Sequence, residues 1–194
     1  MEEIVYEKGF TACGLPDEIK KKIDGVSYHE NRDVGLDELA YLKMQYVDFN
    51  GQTQTGEMIV HQSLAREVLE IFSELYSAGY QIEKMRLVDE YDADDERSMA
   101  DNNSSAFNYR VVADTDMISM HGYGRAIDIN PLINPYIVGE KIMPENGAEY
   151  ADRSKKFAHK IDHDDLCYKL FKERGWTWGG DWKTQKDYQH FYKT

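Results

Sequence analysis

Residues 41–79 read YLKMQYVDFNGQTQTGEMIVHQSLAREVLEIFSELYSAG, and this stretch carries the strongest structural signals of the chain. Its first part, YLKMQYVDF at 41–49, is rich in aromatic side chains and has the composition of an extended strand. The segment GQTQTG that follows is typical of a turn, and EMIVHQ at 57–62 reads as a second strand. The sequence therefore predicts a β-hairpin here.

A helix is predicted directly after this hairpin, over residues 63–78. Its apolar side chains recur at helical spacing, which places them on one face, and Gly79 supplies a stop signal at the C-terminal end. We expect this face to pack on the sheet; it consists of Leu64, Val68, Ile71, Phe72 and Leu75.

The order of the elements predicts the fold class. Strands and helices do not alternate regularly, and their connections are tight, which favours antiparallel pairing. We therefore predict an α+β fold, a single domain with a central, mostly antiparallel sheet, helices packed on it and a cleft. A doubly wound parallel sheet is the alternative. The other predicted elements are helices at 15–23 and 163–174, strands at 84–91, 109–113, 125–130 and 190–192, a loop at 92–105 and an irregular excursion at 131–160.

Length and charge limit the function classes. The chain has 194 residues, which fits one domain with one core and a cleft. Its formal net charge of −13 disfavours nucleic acid as a partner, because the surface should repel a phosphate backbone.

No apolar run approaches the roughly 18 to 20 residues of a membrane helix. The N-terminus lacks the pattern of an export signal, so either the protein stays where it is made or a signal has been removed.

Two sets of potential metal-binding residues give only weak signals. Cys13 and Cys167 stand far apart in no C-x-x-C pattern, so they predict neither a disulfide framework nor a cysteine zinc site. A single bridge between them stays open, and two unrelated thiols are the favoured interpretation. The acidic run 92–96 lacks the glycine and the distant Glu of an EF-hand loop, so a solvated loop is favoured over a calcium site.

The segment SMHGYGRAID, residues 119–128, contains a histidine and an aspartate. Imidazole nitrogen and carboxylate oxygen are usual zinc ligands, and a catalytic zinc site has about three protein ligands and one open position. In an unbroken strand His121 and Asp128 would point to opposite faces, because their separation is odd. Gly122 and Gly124 permit a bend or bulge that brings both side chains to one side. By itself this spacing is weak evidence for a metal site.

A second segment with such residues lies near the C-terminus, WTWGGDWKTQKDYQHF at 176–191. Asp187 and His190 stand three apart, so on one turn of helix or in a tight turn their side chains lie beside the same point. A carboxylate beside a metal ligand can accept a proton from water and pass it to a leaving amine. From this segment alone, an exposed Asp beside a core His is the favoured interpretation. The combination of both segments favours a metal site.

Together these motifs resemble the D-alanyl-D-alanine carboxypeptidase family of zinc peptidases, which includes vancomycin-resistance enzymes and several phage endolysins. The family pattern is Ser-x-His, then Gly-x-Ala-x-Asp, then an acidic residue shortly before a His that is followed by an apolar residue. The chain matches it as SMHGYGRAID and DYQHF, and it looks like the VanY-type branch in DNNSSAFNYR, AIDINPLINPY and GWTWGGDW. The similarity runs from about residue 57 to residue 192.

The resemblance implies a zinc cleft with one Zn²⁺ ion and assigns roles to individual residues. His121, Asp128 and His190 match the zinc ligands, and Asp187 matches the general base, which is usually a Glu in the family. The family also uses an arginine to bind substrate and polarise the scissile carbonyl, for which Arg110 is the candidate. The remaining match is Ser119, which falls where a family serine contacts the substrate.

The resemblance also implies a substrate, a location and a domain division. The substrate would be a peptidoglycan stem peptide, cut by a D,D-carboxypeptidase; an L-alanyl-D-glutamate-type endopeptidase and a non-catalytic, zinc-containing wall-binding domain stay open. We expect a monomer in the bacterial cell envelope or outside the cell. Residues 1–50 would form an N-terminal arm or extension, and residues 51–194 the zinc peptidase domain.

Overall fold

A computed structural model describes residues 1–112 and 115–194, and its largest sheet has four antiparallel strands in the order β1-β2-β3-β4. The described ranges also contain several shorter strands and four α-helices. The strands are β1 Ile4–Glu7, β2 Phe10–Gly14, β3 Leu39–Val47, β4 Thr53–His61, β5 Lys84–Met85, β6 Asn103–Ser104, β7 Ala126–Asp128, β8 Tyr136–Val138, β9 Lys141–Met143, β10 Thr177–Trp178, β11 Lys186–Asp187 and β12 His190–Tyr192. The helices are α1 Asp17–Ile23, α2 Ala65–Ser77, α3 Asp95–Ala100 and α4 Leu166–Glu173.

The predicted hairpin is confirmed as β3 and β4, which pair from Leu39 opposite His61 to Val47 opposite Thr53. Its turn is closed by Asp48, whose carboxylate accepts hydrogen bonds from the backbone N–H groups of Asn50 and Gln52, each at 2.9 Å. A side chain that satisfies the backbone donors of a turn in this way fixes the register of the strands it joins.

Both faces of the large sheet are covered. On one face the alternate residues of β3, Leu42 and Met44 among them, pack against α2 in the main core. On the other face Leu39 and Tyr41 pack against α1. The predicted helix is confirmed as α2, which buries the expected apolar stripe. Each such buried side chain contributes about 1.5–3 kcal/mol relative to exposure, so this layer stabilises the sheet on which the rest of the chain is assembled.

The remaining strands form three small sheets. Two are antiparallel, in the orders β10-β12-β7 and β11-β8-β9, and β5 pairs with β6 in parallel. The predicted α+β class, a single domain with antiparallel sheets, is therefore confirmed. The two antiparallel small sheets carry three of the six site residues named from the sequence, Asp128, Asp187 and His190.

Two predicted elements are wrong in part. The predicted strand at 84–91 is a strand only over β5, and residues Val88–Tyr91 form a 3-10 helix. The consecutive residues Leu87 and Val88 are both buried, which does not fit the alternation of a strand with one solvent-exposed face. The loop at 92–105 contains α3, which is capped by the Asp94 carboxylate through a 3.0 Å hydrogen bond from the Arg97 N–H.

Two further segments also differ from prediction. Residues 109–112 form only an isolated bridge, between Val111 and Ile118, and residue 113 of that predicted strand lies outside the described residues. The excursion at 131–160 contains the hairpin β8–β9, whose two strands are each only three residues long. Strands this short carry too few residues for an alternating pattern to be read.

The proposed division at residue 50 falls in the turn between β3 and β4, so three of the four strands of the large sheet precede it. All the site residues named from the sequence lie after it.

The two cysteines are both free thiols, with Cys167 buried, so the interpretation as unrelated thiols is confirmed. Within the described ranges, no helix has the length and apolar character that crossing a membrane requires.

Candidate metal centre

Two of the ligand-type residues meet because of strand register. Strands β7 and β12 are antiparallel and place Asp128 directly opposite His190. Side chains of directly opposed residues lie on the same face of a sheet, and here the Oδ1 atom of Asp128 lies 2.9 Å from Nδ1 of His190. Both residues are buried. The pairing of two short strands thus brings together residues that are 62 positions apart.

The third residue, His121, comes from a 3-10 helix, Met120–Tyr123, that immediately precedes β7. Ser119 caps this helix, since its hydroxyl oxygen accepts a hydrogen bond from the His121 N–H at 3.3 Å. Gly124 ends it in the left-handed conformation, with φ of 65°. The sequence predicted that glycine would reset the strand alternation by a bend or bulge; a helical turn ended by Gly124 provides this bend.

Gly124 is required for two reasons. An L-residue at its positive φ is strained, and a Cβ atom there would lie 2.5 Å from the backbone N of His61 and 2.9 Å from the carbonyl carbon of Val60. These atoms belong to β4, and the His61 N–H donates a 2.8 Å hydrogen bond to the Gly124 carbonyl. Gly124 therefore anchors the turn of His121 to the large sheet.

We expect Gly124→Ala to lower the thermal midpoint of unfolding by more than Gly139→Ala does. Both positions have positive φ, which costs roughly 1–2 kcal/mol for an L-residue, but Gly139 has open space where a Cβ would stand. At about 2–4 °C per kcal/mol for a chain of this size, the clash at Gly124 should separate the two variants by several degrees. Equal losses, measured by differential scanning calorimetry, would show that the β4 contact is unimportant.

The three side chains form a compact set of donor atoms. The Nε2 atom of His121 lies 3.2 Å from Oδ2 of Asp128 and 3.1 Å from Nδ1 of His190. One ligand atom from each residue can be chosen so that all lie within 4.8 Å of one another. A tetrahedral zinc ion with bonds of roughly 2.0–2.1 Å holds its ligand atoms about 3.3 Å apart. The geometry therefore fits such an ion.

Hydrogen bonding prepares His121 to bind a cation. Its Nδ1 lies 2.6 Å from the carbonyl oxygen of Ala106, which can only accept, so Nδ1 carries the proton. In the neutral ring the lone pair is then on Nε2, the atom that faces His190 and Asp128. A second hydrogen bond that fixes the tautomer of a ligating histidine is a regular feature of metal sites.

Electrostatics at the three residues are those of a cation site. Although burial opposes its ionisation, the neighbouring His121 and His190 hold the pKa of Asp128 well below its usual range. Burial also opposes a charge on His121, yet the Asp128 carboxylate raises the pKa of this imidazole. The buried carboxylate thus favours positive charge beside it, and a divalent cation supplies that charge without a proton.

Asp187 lies next to this cluster in the chain, at the end of β11 and three residues before His190, the first residue of β12. The residue is half-buried, but its Oδ1 atom is shielded from solvent and has no hydrogen-bond partner among the described residues. Burial raises the pKa of Asp187 to about 7, His190 opposes the rise, and Asp128 and Asp95 add to it. The chain bends at residues 188 and 189, between Asp187 and His190.

Arg110 is held beside the same cluster by an acidic residue. Its Nη2 atom lies 2.8 Å from Oδ2 of Asp95, and its Nε–H is buried with no partner in the described part of the chain. The charge of Arg110 lowers the pKa of both His121 and Asp187, which places the guanidinium within electrostatic reach of the site.

The aromatic residues near the site divide into two groups. Trp176 and Trp178 are buried in the main core. The centre of the Trp182 ring instead lies 5.5 Å from that of His190, so this tryptophan contacts one of the three clustered residues. Tyr136 stands directly opposite Asp187 in the pairing of β8 with β11.

Sequence reasoning missed Asp95. It lies in the acidic run interpreted as a solvated loop, and no motif spacing links it to Arg110, 15 residues later. The only available signal was Asp94, a good N-cap residue before a short helical segment. The fold brings α3 against the segment that carries Arg110.

Comparison with known proteins agrees with this site. No curated protein and no solved structure gave a significant match to the chain. A family model described as D-alanyl-D-alanine carboxypeptidase matches residues 113–193, which are 81 of the 194 residues. This segment contains His121, Asp128, Asp187 and His190, and the match implies a hydrolase of the metallopeptidase class. The resemblance to the D-alanyl-D-alanine carboxypeptidase family of zinc peptidases is therefore confirmed over residues 113–193.

Proposed function

We propose that this protein is a zinc-dependent peptidase that acts on peptidoglycan stem peptides as a D-alanyl-D-alanine carboxypeptidase. One observation carries the proposal: two imidazoles and a carboxylate converge beside Asp187, a shielded carboxyl group whose pKa is about 7. These four residues lie in the segment that matches the family model. A ligand set next to a group able to exchange protons near neutral pH is what metal-assisted hydrolysis requires.

In this proposal His121, Asp128 and His190 hold one zinc ion. Bound there, zinc would supply Lewis acidity toward water and the scissile carbonyl. The fit rests on the donor types, on their separations of 2.9–3.2 Å and on the Ala106 carbonyl that fixes the His121 tautomer.

Asp187 is the proposed general base. Its Oδ1 is free of hydrogen bonds to the described residues and can accept a proton from the attacking water. The acid so formed can protonate the leaving amine, and a pKa near 7 suits both transfers at neutral pH. The family usually has Glu at this position, and the shorter Asp must stand closer to the water.

Arg110 and Ser119 are the proposed substrate contacts. The guanidinium of Arg110 can offset the negative charge that grows on the carbonyl oxygen, and its Nε–H, which has no partner among the described residues, can donate to substrate. The hydroxyl of Ser119 accepts from the His121 N–H, and an alcohol that accepts one hydrogen bond can still donate one to a substrate amide.

The proposed substrate implies a place of action. We propose that the protein works as a monomer in the bacterial cell envelope or outside the cell, where stem peptides occur. We also propose that the catalytic machinery belongs to residues 51–194, with residues 1–50 as an extension whose strands complete the large sheet.

The test is incubation of the zinc-loaded protein with a synthetic stem pentapeptide ending in D-Ala-D-Ala, followed by mass spectrometry. We expect loss of one alanine, no reaction after chelation, and recovery when zinc is restored. A pentapeptide ending in L-Ala-L-Ala serves as the control substrate. Release of a larger fragment would favour the endopeptidase, and an intact peptide in the presence of bound zinc would favour a non-catalytic wall-binding domain.

A further inference from the structure

We propose that Asp95 is the positioning residue that holds Arg110 in place for the reaction. This inference rests on the proposed function and adds to it a residue outside the family motifs. It starts from the ion pair between Arg110 Nη2 and Asp95 Oδ2, at 2.8 Å. The side chains are 34% and 29% exposed, so solvent screens this pair less than a surface pair.

Asp95 does not cap the helix in which it lies. The preceding residue, Asp94, caps α3 by accepting the Arg97 N–H, and Arg97 pairs with the exposed Asp92. Asp95 is the first residue of the helix and its carboxylate is directed to Arg110 instead. The acidic run thus contains one residue that caps, one that pairs on the surface and one that contacts the arginine of the site.

The charges of Arg110 and Asp95 act on residues of the site. Arg110 lowers the pKa of both His121 and Asp187, and Asp95 raises both pKa values. A cation at the three ligands would repel an arginine free to move, because like charges interact strongly beside buried groups such as these. The carboxylate of Asp95 offsets this repulsion and fixes one edge of the guanidinium.

The pairing also leaves Arg110 with hydrogen-bond capacity. The Nε–H is buried without a partner in the described ranges, and an unsatisfied buried donor is unfavourable. Such a group is retained where another molecule completes its hydrogen bond. With Nη2 held by Asp95, the remaining N–H groups of the planar guanidinium are oriented before substrate binds.

The experiment is a double-mutant cycle on the zinc-loaded full chain. We expect Asp95→Asn to lower kcat/KM about 10-fold, since displacement of a catalytic group by about 1 Å can cost up to about 100-fold. In the Arg110→Ala background the same change should have almost no effect. Asp95→Glu should recover part of the loss, and Asp92→Asn, which removes an equal charge from the same loop, should behave as wild type.

Two readouts separate positioning from a structural defect. The zinc dissociation constant and the visible spectrum of the cobalt-substituted protein should be unchanged in Asp95→Asn. An equal loss of kcat/KM in both backgrounds, or an altered metal site, would overturn the positioning role. If the wild type hydrolyses no stem peptide, the proposed function fails. The double-mutant cycle is then repeated with affinity for the pentapeptide, measured by calorimetry, in place of kcat/KM. Additive losses of affinity in the two single variants, or no binding by the wild type, would refute the role of Asp95.

Discussion

Replacing His190 with alanine is expected to abolish hydrolysis and to remove the stabilisation that zinc gives the wild type. Removing a residue that only hydrogen-bonds to a metal ligand lowers metal affinity or activity about 10–100-fold. Removing the ligand itself should therefore lower kcat/KM by more than about 100-fold. Zinc at about 1,000 times its dissociation constant stabilises a protein by ~4.1 kcal/mol. For a chain of this size that corresponds to a rise on the order of 10 °C in the thermal midpoint.

The zinc-dependent shift is measured by calorimetry with and without metal for each variant. This difference is independent of the cavity that alanine leaves at the buried His190. His163→Ala is the matched control, because His163 is an exposed histidine that pairs with Asp181 and lies outside the cluster. A His190→Ala protein that keeps the full zinc shift would show that the metal is bound elsewhere.

Replacing Asp187 with asparagine is expected to lower kcat by about 10²–10⁴-fold, the usual contribution of a general base. Asparagine keeps the size of the side chain but cannot accept and return a proton. Zinc binding should persist, because the three ligand residues are untouched. Asp187→Glu, which introduces the residue that the family usually carries, should keep measurable hydrolysis.

The same Asp187→Asn substitution should stabilise the metal-free protein. Burial raises the pKa of Asp187 to about 7, from an ordinary value of about 3.9 in an unfolded chain. The folded state therefore holds this proton more tightly, and its contribution to stability is full below about pH 4 and is lost as the pH rises through about 7. We expect the variant to gain on the order of 1–3 kcal/mol over the wild type above pH 7.

Denaturant unfolding of both metal-free proteins between pH 4 and pH 8 tests this expectation. The difference in unfolding free energy should be small at pH 4, grow toward pH 7 and then level off. A constant difference across this range would mean that Asp187 ionises normally in the fold.

A kcat of Asp187→Asn equal to that of the wild type would exclude this residue from the mechanism. The metal-site prediction for His190 would not be affected.

Much of the candidate site could be predicted because its residues belong to short local patterns. His121 and Asp128 lie in one segment, Asp187 and His190 in another, and the order of the two segments carries the family resemblance. The chemistry of imidazole and carboxylate then suggests a cation. Their roles in catalysis remain predictions, and the structure adds that the proposed ligand atoms lie close together.

Short elements were less predictable. Strands β7, β11 and β12 have two or three residues each, so their pairing depends on neighbours distant in sequence rather than on local alternation. Sequence reasoning likewise treated the acidic loop as solvated, because a charged run gives no sign of which member will turn inward.

By itself, the sequence determined the antiparallel hairpin and the helix that covers it, since apolar periodicity is a property of consecutive residues. It also determined which side chains could bind a metal ion, because donor chemistry is a property of single side chains. Tertiary structure decided the rest: the register that sets His190 opposite Asp128, the shielding that raises the pKa of Asp187, and the contact of Asp95 with Arg110. The physical reason is that distance, burial and electric field arise only when segments far apart in the chain are packed together.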